Sequence, residues 1–407
     1  MHVILIEPCF PRNQREFARA LSEVGATVTG IGERPKEALD SEVMSWLSHY
    51  EQVSSVVDES AVVEKVRFIQ SKLDVDRLEA TVEAHILPAA HVREACGIAG
   101  TSSRTAFLCR DKPAMKEVLR AGGIACAQSL GSDSRDEIRD FADAVGYPLI
   151  LKPPAGAGAA GTVRVDDGAG LEEALTSLGL DRGASIAVEE FVEGHEGFYD
   201  TLSIQGEVAH DFVSHYYPNV LEAMRERWIS PQFIATNRID SAPDYDEVRE
   251  MGRRVNELLG IETSATHMEW FFGPKGLRFS EIGCRPPGVG AWDLYCAAND
   301  MDLYREWAFA VVNGRKSQEA SRAYSAGIIA LRPERDGQIM GYEGLATIEE
   351  TFGQWIIDYH LPRAGDDTQP VEGGYMANAW IRMRHPDYDE LRRMLDHVGE
   401  NVKVKAE

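Results

Sequence analysis

The sequence lacks several patterns that mark whole classes of protein. Its six cysteines are scattered, without a C-x-x-C pair or a cluster of cysteine and histidine, so we expect reduced thiols and no zinc site. No apolar run approaches the roughly 20 residues that span a bilayer. The N-terminal segment HVILIE is too short for a signal peptide and has no basic flank, so it predicts a first strand. We therefore expect a soluble cytoplasmic protein.

An excess of positive charge is also missing. The formal net charge is -24, which argues against nucleic acid or an anionic membrane as a partner, because phosphates would be repelled. The sequence contains no internal repeat and no low-complexity segment. Its 407 residues are too many for one ordinary core and indicate two or three domains.

Strand and helix patterns alternate over the first hundred residues. The segments TVTGI and VSSVVD predict strands, and AVVEKVRFIQSKL predicts a helix. This order favours an open, Rossmann-like α/β domain, although its first loop, EPCFPRN, lacks the glycine that a dinucleotide site needs. Further along, Asp111 is a predicted helix N-cap, and a single helix is expected at about 291–313.

A glycine run follows the segment LILK. It contains a literal G-x-G-x-x-G at Gly156, Gly158 and Gly161. A dinucleotide fingerprint opens a helix, whereas LILK before the run and TVRV after it have strand patterns. We predict a glycine loop between two antiparallel strands, with amides that fold over phosphates beside Lys152. The alternatives are a hairpin without a ligand and, on the literal motif, an NAD-dependent oxidoreductase.

The segment HMEWFFGPKGLRFSEIGCR predicts a β-hairpin that carries Glu269 and Glu281. A loop of three or five residues would place the two glutamates opposite each other, whereas a four-residue loop would pair Glu269 with Ser280. Like charges directly opposite destabilise a sheet, so a bound cation is expected. The alternative is two unrelated, exposed glutamates.

The order of these parts resembles the ATP-grasp superfamily from residue 1 to about 313. The resemblance is carried by the D-K motif in RDKPAMKEVLRAGGI, by the lysine that ends LILK, and by EEFVEGHE, which is similar to a hinge of the form E-E-[F/Y]-V-x-G-x-E. It implies that the lysines neutralise phosphates, that backbone groups of the hinge bind adenine and that its last glutamate accepts from ribose. The implied ATP-binding residues are Lys112, Lys152, Gly156, Gly158, Gly161, Glu189, Glu190, Phe191, Val192 and Glu196.

The resemblance also implies that Glu269 and Glu281 bind Mg²⁺, or Mn²⁺, at the ATP phosphates. Members of the superfamily usually read E-x-N-x-R, whereas this chain has Gly283 in EIGCR, which implies a weaker second metal or a relocated ligand. Arg285 would face the transferred phosphoryl group and a substrate carboxylate, and we predict that it is catalytic together with Lys152. Glycines 288 and 290, in PPGVGAWDLY, predict an anion pocket before a helix, the alternative being a simple turn.

The implied reaction activates a carboxylate as an acyl phosphate, releases ADP and couples the acyl group to an amine, such as an amino acid or small peptide. The segment VSHYYPNVLEAMRERW predicts substrate contacts from His215, Arg225 and Arg227, the alternative being an amphipathic helix. A biotin-carboxylase-like ligase with a non-amine acceptor and a catalytically silent nucleotide-binding protein also stay open as functions. The expected partners are a small carboxylate, a small amine and, as in relatives, a second copy of the chain.

These expectations define an α/β protein with α+β elements and three parts. Residues 1–108 are predicted to form a Rossmann-like pre-ATP-grasp domain. Residues 109–313 are predicted to form the ATP-grasp domain, with a glycine-loop lobe at about 115–187 and a metal and substrate lobe at about 188–313. Residues 314–407 are predicted to form a small α+β cap.

Overall fold

The N-terminal part is a parallel sheet flanked by helices. The computed structural model describes residues 1–153, 161–224, 226–371, 374 and 378–407. In chain order the N-terminal elements are β1 (His2–Ile6), α1 (Gln14–Glu23), β2 (Thr27–Gly32), α2 (Ser41–Trp46), β3 (His49–Gln52), α3 (Glu59–Gln70), β4 (Arg77–Glu79), α4 (Glu83–Cys96) and α5 (Ser103–Leu108). The strands are parallel in the order β3-β2-β1-β4. Every residue of β1 is buried, as expected for a parallel strand covered on both faces.

The third strand lies four residues earlier than the sequence predicts. The segment VSSVVD forms no strand, and β3 ends at Gln52 just before it. Val53 and Val56 are nevertheless buried, so their apolar pattern reflects packing of a connecting loop against the core. Asp58 then caps α3 by accepting a hydrogen bond from the backbone N–H of Ala61.

The next part of the chain contains a smaller antiparallel sheet. Its elements are α6 (Lys112–Ala121), β5 (Ser129–Ser132), α7 (Arg135–Val145), β6 (Leu149–Lys152), β7 (Val163–Val165), α8 (Gly168–Ser177) and β8 (Ile186–Glu190). The strand order is β5-β8-β6-β7, and β6 pairs antiparallel with β7. The prediction of antiparallel strands on both sides of the glycine run is therefore confirmed. Gly156 and Gly158 lie outside the described residues.

A larger sheet receives strands from the rest of the chain. Its part of the chain contains β9 (His195–Ile204), β10 (Glu207–Tyr217), α9 (Val220–Ala223), β11 (Gln232–Ala235), α10 (Asp246–Leu259), β12 (Ser264–Gly273), β13 (Gly276–Gly283), α11 (Ala291–Asn299), α12 (Leu303–Asn313), β14 (Ser325–Leu331), β15 (Ile339–Glu343), α13 (Leu345–Phe352), β16 (Ile356–His360), β17 (Ala379–His385), α14 (Tyr388–Asn401) and β18 (Lys403–Ala406). The order is β13-β12-β9-β10-β11-β14-β17-β16. Strands from residues 314–407 therefore complete the sheet that carries the glutamate hairpin, and the predicted domain boundaries stay a prediction.

The region predicted as one helix at about 291–313 is two helices. Asp300 adopts a left-handed conformation, with φ of 48°, and ends α11. Asp302 begins α12 by accepting a hydrogen bond from the N–H of Arg305 at 2.9 Å, so a cap of its own starts the second helix. In the part of the chain that the structure describes, no helix combines the length and the apolar character needed to cross a membrane.

We expect Gly252→Ala to destabilise the fold, although alanine favours helices. A Cβ at position 252, in the middle of α10, would lie 2.3 Å from the ring of the buried Tyr199. Overpacking of this kind costs about 1–3 kcal/mol, more than the roughly 1 kcal/mol that alanine gains over glycine in a helix. Urea unfolding measures the difference. Gly168→Ala, whose Cβ would meet only the Tyr147 hydroxyl at 3.7 Å, is the control and should not lower stability.

Candidate active site

Most of the predicted site residues line one cleft of about 690 Å³. The cleft lies between the small antiparallel sheet and the hairpin of β12 and β13, and α4 and the segment before α6 also reach it. The predicted residues that it contains are Lys112, Lys152, Glu189, Glu190, Phe191, Val192, Glu196, Glu269, Glu281, Arg285 and Gly288. Gly161 lies just before β7 with φ of 69°, outside this lining. The convergence of these residues is observed, and their roles stay predictions.

The hairpin brings the two glutamates together by a different route from the one predicted. Only two residues connect β12 to β13, and an even loop by itself would not pair Glu269 with Glu281. The register shifts at a β-bulge between Glu269 and Trp270, which leaves Ser280 as the extra residue of β13. Glu269 and Glu281 then pair directly. The predicted pairing is correct and the predicted odd loop is wrong, because the bulge supplies the missing residue.

Lys112 and Lys152 approach the hairpin from two different elements. Asp111 caps α6 through the N–H of Ala114, which fixes Lys112 in the first turn of the helix. The Lys112 Nζ lies 3.1 Å from Glu281 Oε2. Lys152 ends β6, and its Nζ lies 4.0 Å from the same oxygen. Both ammonium groups therefore lie beside the hairpin that carries the two glutamates.

Glu189 anchors two buried lysines, one of which was not predicted. Its Oε1 lies 2.7 Å from Lys116 Nζ, and its Oε2 lies 2.8 Å from Lys152 Nζ. Burial by itself would raise the pKa of Glu189, but the two ammonium groups lower it to about 2. Lys116 is four residues after Lys112 on one face of α6, beside apolar side chains, and this spacing is the signal by which the sequence could have shown it. Glu189 thus forms ion pairs with two lysines at the cleft, and its contact with ATP stays a prediction.

The segment after β8 supplies the proposed adenine and ribose contacts. The Arg164 guanidinium stacks on the ring of Phe191 at 4.4 Å from its centroid. Glu196, at the start of β9, accepts a 2.6 Å hydrogen bond from the N–H of Val220. Burial, and then the nearby charge of Glu269, raise the pKa of Glu196 to about 8. A ribose hydroxyl donating to this carboxylate would stabilise its ionised form.

His267 is a further site residue that the sequence analysis did not single out. It lies two residues before Glu269 on β12, and its Nε2 is 3.7 Å from Glu269 Oε1. Its Nδ1 is 2.7 Å from the buried carboxylate of Asp200, which also accepts from the Tyr295 hydroxyl. Burial opposes protonation of His267, but Asp200 raises its pKa to about 9. The mostly buried imidazole of His267 thus lies beside one of the two glutamates.

The donor set suits magnesium supported by phosphate. Among the described residues, no group of three or more histidine, cysteine, aspartate or glutamate side chains is arranged to hold a metal. The two facing carboxylates of Glu269 and Glu281 are what Mg²⁺ takes from a protein when phosphates and water supply its remaining ligands. The residues present therefore fit the ion.

Arg285 lines the cleft in contact with a carboxylate from the N-terminal part of the chain. Its Nε donates to Glu83 Oε2 at 2.6 Å, and its Nη1 donates to the carbonyl of Pro286. Glu83 begins α4 and was not predicted as a site residue. Only folding brings it to Arg285, from which it is separated by about two hundred residues.

The predicted substrate residues are only partly brought to the cleft. Gly288 lines it, and Gly290, with φ of 72°, precedes α11 outside the lining. His215 lies on the opposite face of β10 from Tyr216, which does line the cleft, because successive strand residues alternate. His215 instead contacts His195 and Tyr245.

Of the two predicted arginines after β10, Arg227 does not line the cleft. Arg227 pairs with Asp336 in the C-terminal part, and Arg225 lies outside the described residues. The alternative of an amphipathic helix is not observed either, since β10 continues to Tyr217 and α9 spans only Val220–Ala223.

Comparisons with known proteins agree with this geometry. Residues 117–300 match the family model of the ATP-grasp domain. The L-arginine-specific L-amino acid ligase of Bacillus subtilis is 28% identical over 251 residues, which are 60% of this chain and 60% of that protein. The alanine–anticapsin ligase of Bacillus subtilis (strain 168) is 26% identical over 233 residues, 52% of this chain and 48% of that protein. The chain thus spans about half to three fifths of the length of these curated relatives.

The fold has a counterpart along the whole chain. The crystal structure of an L-amino acid ligase from Bacillus licheniformis superposes with a TM-score of 0.79 at 19% identity, over 100% of this chain and 98% of that one. At this identity the likeness establishes the fold alone. Residues 117–300 thus match the ATP-grasp domain, and the whole chain shares the fold of that solved structure. The expected α/β fold class is confirmed.

We expect Glu189→Gln to destabilise the protein strongly. The change leaves Lys116 and Lys152 buried without their shared carboxylate, and an uncompensated buried charge costs about 3–5 kcal/mol. Urea unfolding at neutral pH measures the loss. Lys275→Met, which breaks an exposed pair with Glu190, should cost at most about 1 kcal/mol. Adding Lys116→Met should recover part of the loss, and an equal loss in Glu189→Gln and Lys275→Met would contradict this account.

The raised pKa of Glu196 predicts a pH dependence. Between its unfolded pKa of 4.5 and its folded pKa of about 8, the native state binds the additional proton, so stability falls as pH rises through this window. Glu196→Gln stays neutral and should lose this fall, with a difference approaching about 1.4 kcal/mol per pH unit. Thermal unfolding without nucleotide or metal at pH 5 to 8 tests this. The exposed Glu207→Gln on β10 is the control, and parallel profiles for wild type and Glu196→Gln would refute the assignment.

Proposed function

We propose that this protein is an ATP-dependent carboxylate–amine ligase that takes an amino acid or small peptide as a substrate. The observation that carries the proposal is the convergence of Lys112, Lys152, Glu269 and Glu281 on one cleft. Two cations and two facing carboxylates are a suitable binding site for a nucleoside triphosphate with a divalent ion. The amino-acid ligases among the relatives support the substrate class.

The residues of the cleft divide among the parts of the nucleotide. Backbone groups from Glu190 to Val192 would bind the adenine edge, and Glu196 would accept from ribose. Lys112 and Lys152 would neutralise the phosphates. Glu269 and Glu281 would hold Mg²⁺, with Mn²⁺ as a substitute, and the ion would supply further neutralisation of the phosphate charge.

Arg285 would bind the substrate carboxylate next to the γ-phosphate. A carboxylate oxygen attacks the γ-phosphorus, the bond to the bridging oxygen of ADP breaks, and ADP leaves with that electron pair. An amine nitrogen then attacks the acyl carbon, phosphate departs with the electrons of the C–O bond, and the nitrogen releases a proton to solvent. Positioning and charge neutralisation account for the catalysis in this scheme, so it needs no side-chain nucleophile.

We also propose a cytoplasmic location for the enzyme. The six cysteines are free thiols, which agrees with a cytoplasmic location. A homodimer, which the resemblance implied, stays a prediction that sedimentation can test.

A coupled assay of ADP release tests the function. Amino acids and small carboxylates are supplied singly and in pairs with ATP and Mg²⁺, and a requirement for a pair, with a new amide in the mass spectrum, is the expected result. ADP release with bicarbonate would instead favour a non-amine acceptor. Nucleotide binding without ADP release on the whole panel would favour a silent binding protein, and binding of NAD in place of ATP would favour the oxidoreductase.

Two variants connect the assay to the cleft. We expect Lys152→Met and Glu281→Gln each to lower kcat by about 10²–10³-fold, because Lys152 would neutralise the phosphates and Glu281 would help to hold the metal ion. Lys65→Met and Glu51→Gln change an ion pair of the N-terminal part and serve as controls with wild-type rates. Thermal unfolding verifies that all four proteins fold. Unchanged rates in the first pair would contradict the assigned roles.

A further inference from the structure

Glu83 joins two arginines from different parts of the chain. Its Oε1 accepts from Arg110 Nη1 at 2.9 Å, and its Oε2 accepts from Arg285 Nε at 2.6 Å. Glu83 begins α4, Arg110 precedes α6, and Arg285 follows β13. All three side chains line the cleft, and each is about one fifth to one third exposed. The trio therefore faces the interior of the site and not bulk solvent.

The glycine that departs from the family pattern makes room for this contact. A Cβ on Gly283 would lie 3.2 Å from Glu83 Oε2, closer than ordinary van der Waals contact. An asparagine there, as in E-x-N-x-R, would place a whole side chain in the space that the Glu83 carboxylate occupies. Gly283 and the Glu83–Arg285 contact therefore belong to one arrangement.

Glu83, Arg110 and Arg285 together carry a net positive charge. One carboxylate between two guanidinium groups leaves a net charge of about +1 on these three side chains. Arg110 uses Nη1 for Glu83, and Arg285 uses Nε and Nη1. No described protein group accepts from the Nη2 of either arginine. The Nη2 donors of both arginines, whose side chains line the cleft, are thus available to an anion.

We propose that Arg110 and Arg285 together form a receptor for the carboxylate of the amino-acid substrate, with Glu83 as the positioning residue that orients both. This inference rests on the proposed function, in that the substrate is taken to be a carboxylic acid. Guanidinium groups bind carboxylates through paired N–H donors, and a rigid support removes much of the entropy cost of aligning them. Arg110 is the new substrate-binding residue. The absence of a side chain at Gly283 leaves room for Glu83, which orients Arg110.

The first test replaces Arg110. Arg110→Met should raise the KM for the amino-acid substrate about tenfold or more, while kcat and the KM for ATP change by less than about threefold. Arg110→Lys should show a smaller rise, since it keeps the charge without the planar fork. Arg135→Met is the control, because Arg135 has a similar side-chain exposure and is likewise held in ion pairs, with Glu172 and Asp181, but lies outside the cleft.

Binding gives a readout that is independent of turnover. Each proteinogenic amino acid is titrated against wild type and Arg110→Met in the presence of Mg²⁺ and a non-hydrolysable ATP analogue, and thermal shift reports occupancy. We expect stabilisation of wild type by at least one amino acid and loss of that shift in Arg110→Met. If wild type binds an amino acid but releases no ADP, the ligase function fails and the receptor stands. An unchanged KM and thermal shift in Arg110→Met, or no binding of any amino acid to wild type, would overturn the receptor.

The second test addresses the role of Glu83 as the positioning residue. Glu83→Gln and Gly283→Ala should each raise the KM for the amino acid without changing the KM for ATP, because each disturbs the same contact. The double variant should then be no worse than the more affected single variant, as expected for two residues that act through one interaction. Additive effects, or an equal loss in kcat and ATP affinity, would indicate a general structural role and would exclude Glu83 as the positioning residue.

Discussion

Carboxylates crowded into a nearly buried space are the constraint on which this cleft depends. Glu196, Glu269 and Glu281 lie on neighbouring strands, and the charges of Glu269 and Glu281 both raise the pKa of Glu196. Such an arrangement persists only where cations compensate it. Lys112 and Lys152 approach from two other elements, and His267 is kept charged by Asp200. Attraction between these carboxylates and basic groups therefore helps to hold separate segments of the chain around one site.

The two faces of the large antiparallel sheet carry side chains with different surroundings. On β10, Tyr216 lines the cleft, while its neighbour His215 packs on the other side against His195 and Tyr245. Strand alternation thus explains why a segment rich in aromatic and basic residues contributes only some of them to the site. The C-terminal strands complete this sheet.

Local motifs predicted several residues that line the cleft, but they did not predict which distant residues these contact. The EIGCR segment predicted Glu281 and Arg285 correctly as neighbours on the cleft, but it described Gly283 only as a missing ligand. In the structure that glycine faces a carboxylate from a helix in the N-terminal part. Lys116 was missed for a related reason: a lysine at helical spacing resembles a solvated surface charge until the buried Glu189 is placed beside it.

The sequence by itself determined the elements whose signals are local. These include the capped helix at Asp111, the strands on both sides of the glycine run, and the pair of glutamates on a hairpin, because capping, alternation and turn residues act within a few positions. Tertiary structure alone decided the bulge that sets the register of Glu269, the two lysines on Glu189 and the joining of Glu83 to two arginines. Those contacts depend on which distant surfaces come together and on the high cost of an unpaired charge there, and neither is encoded in any short stretch of the chain.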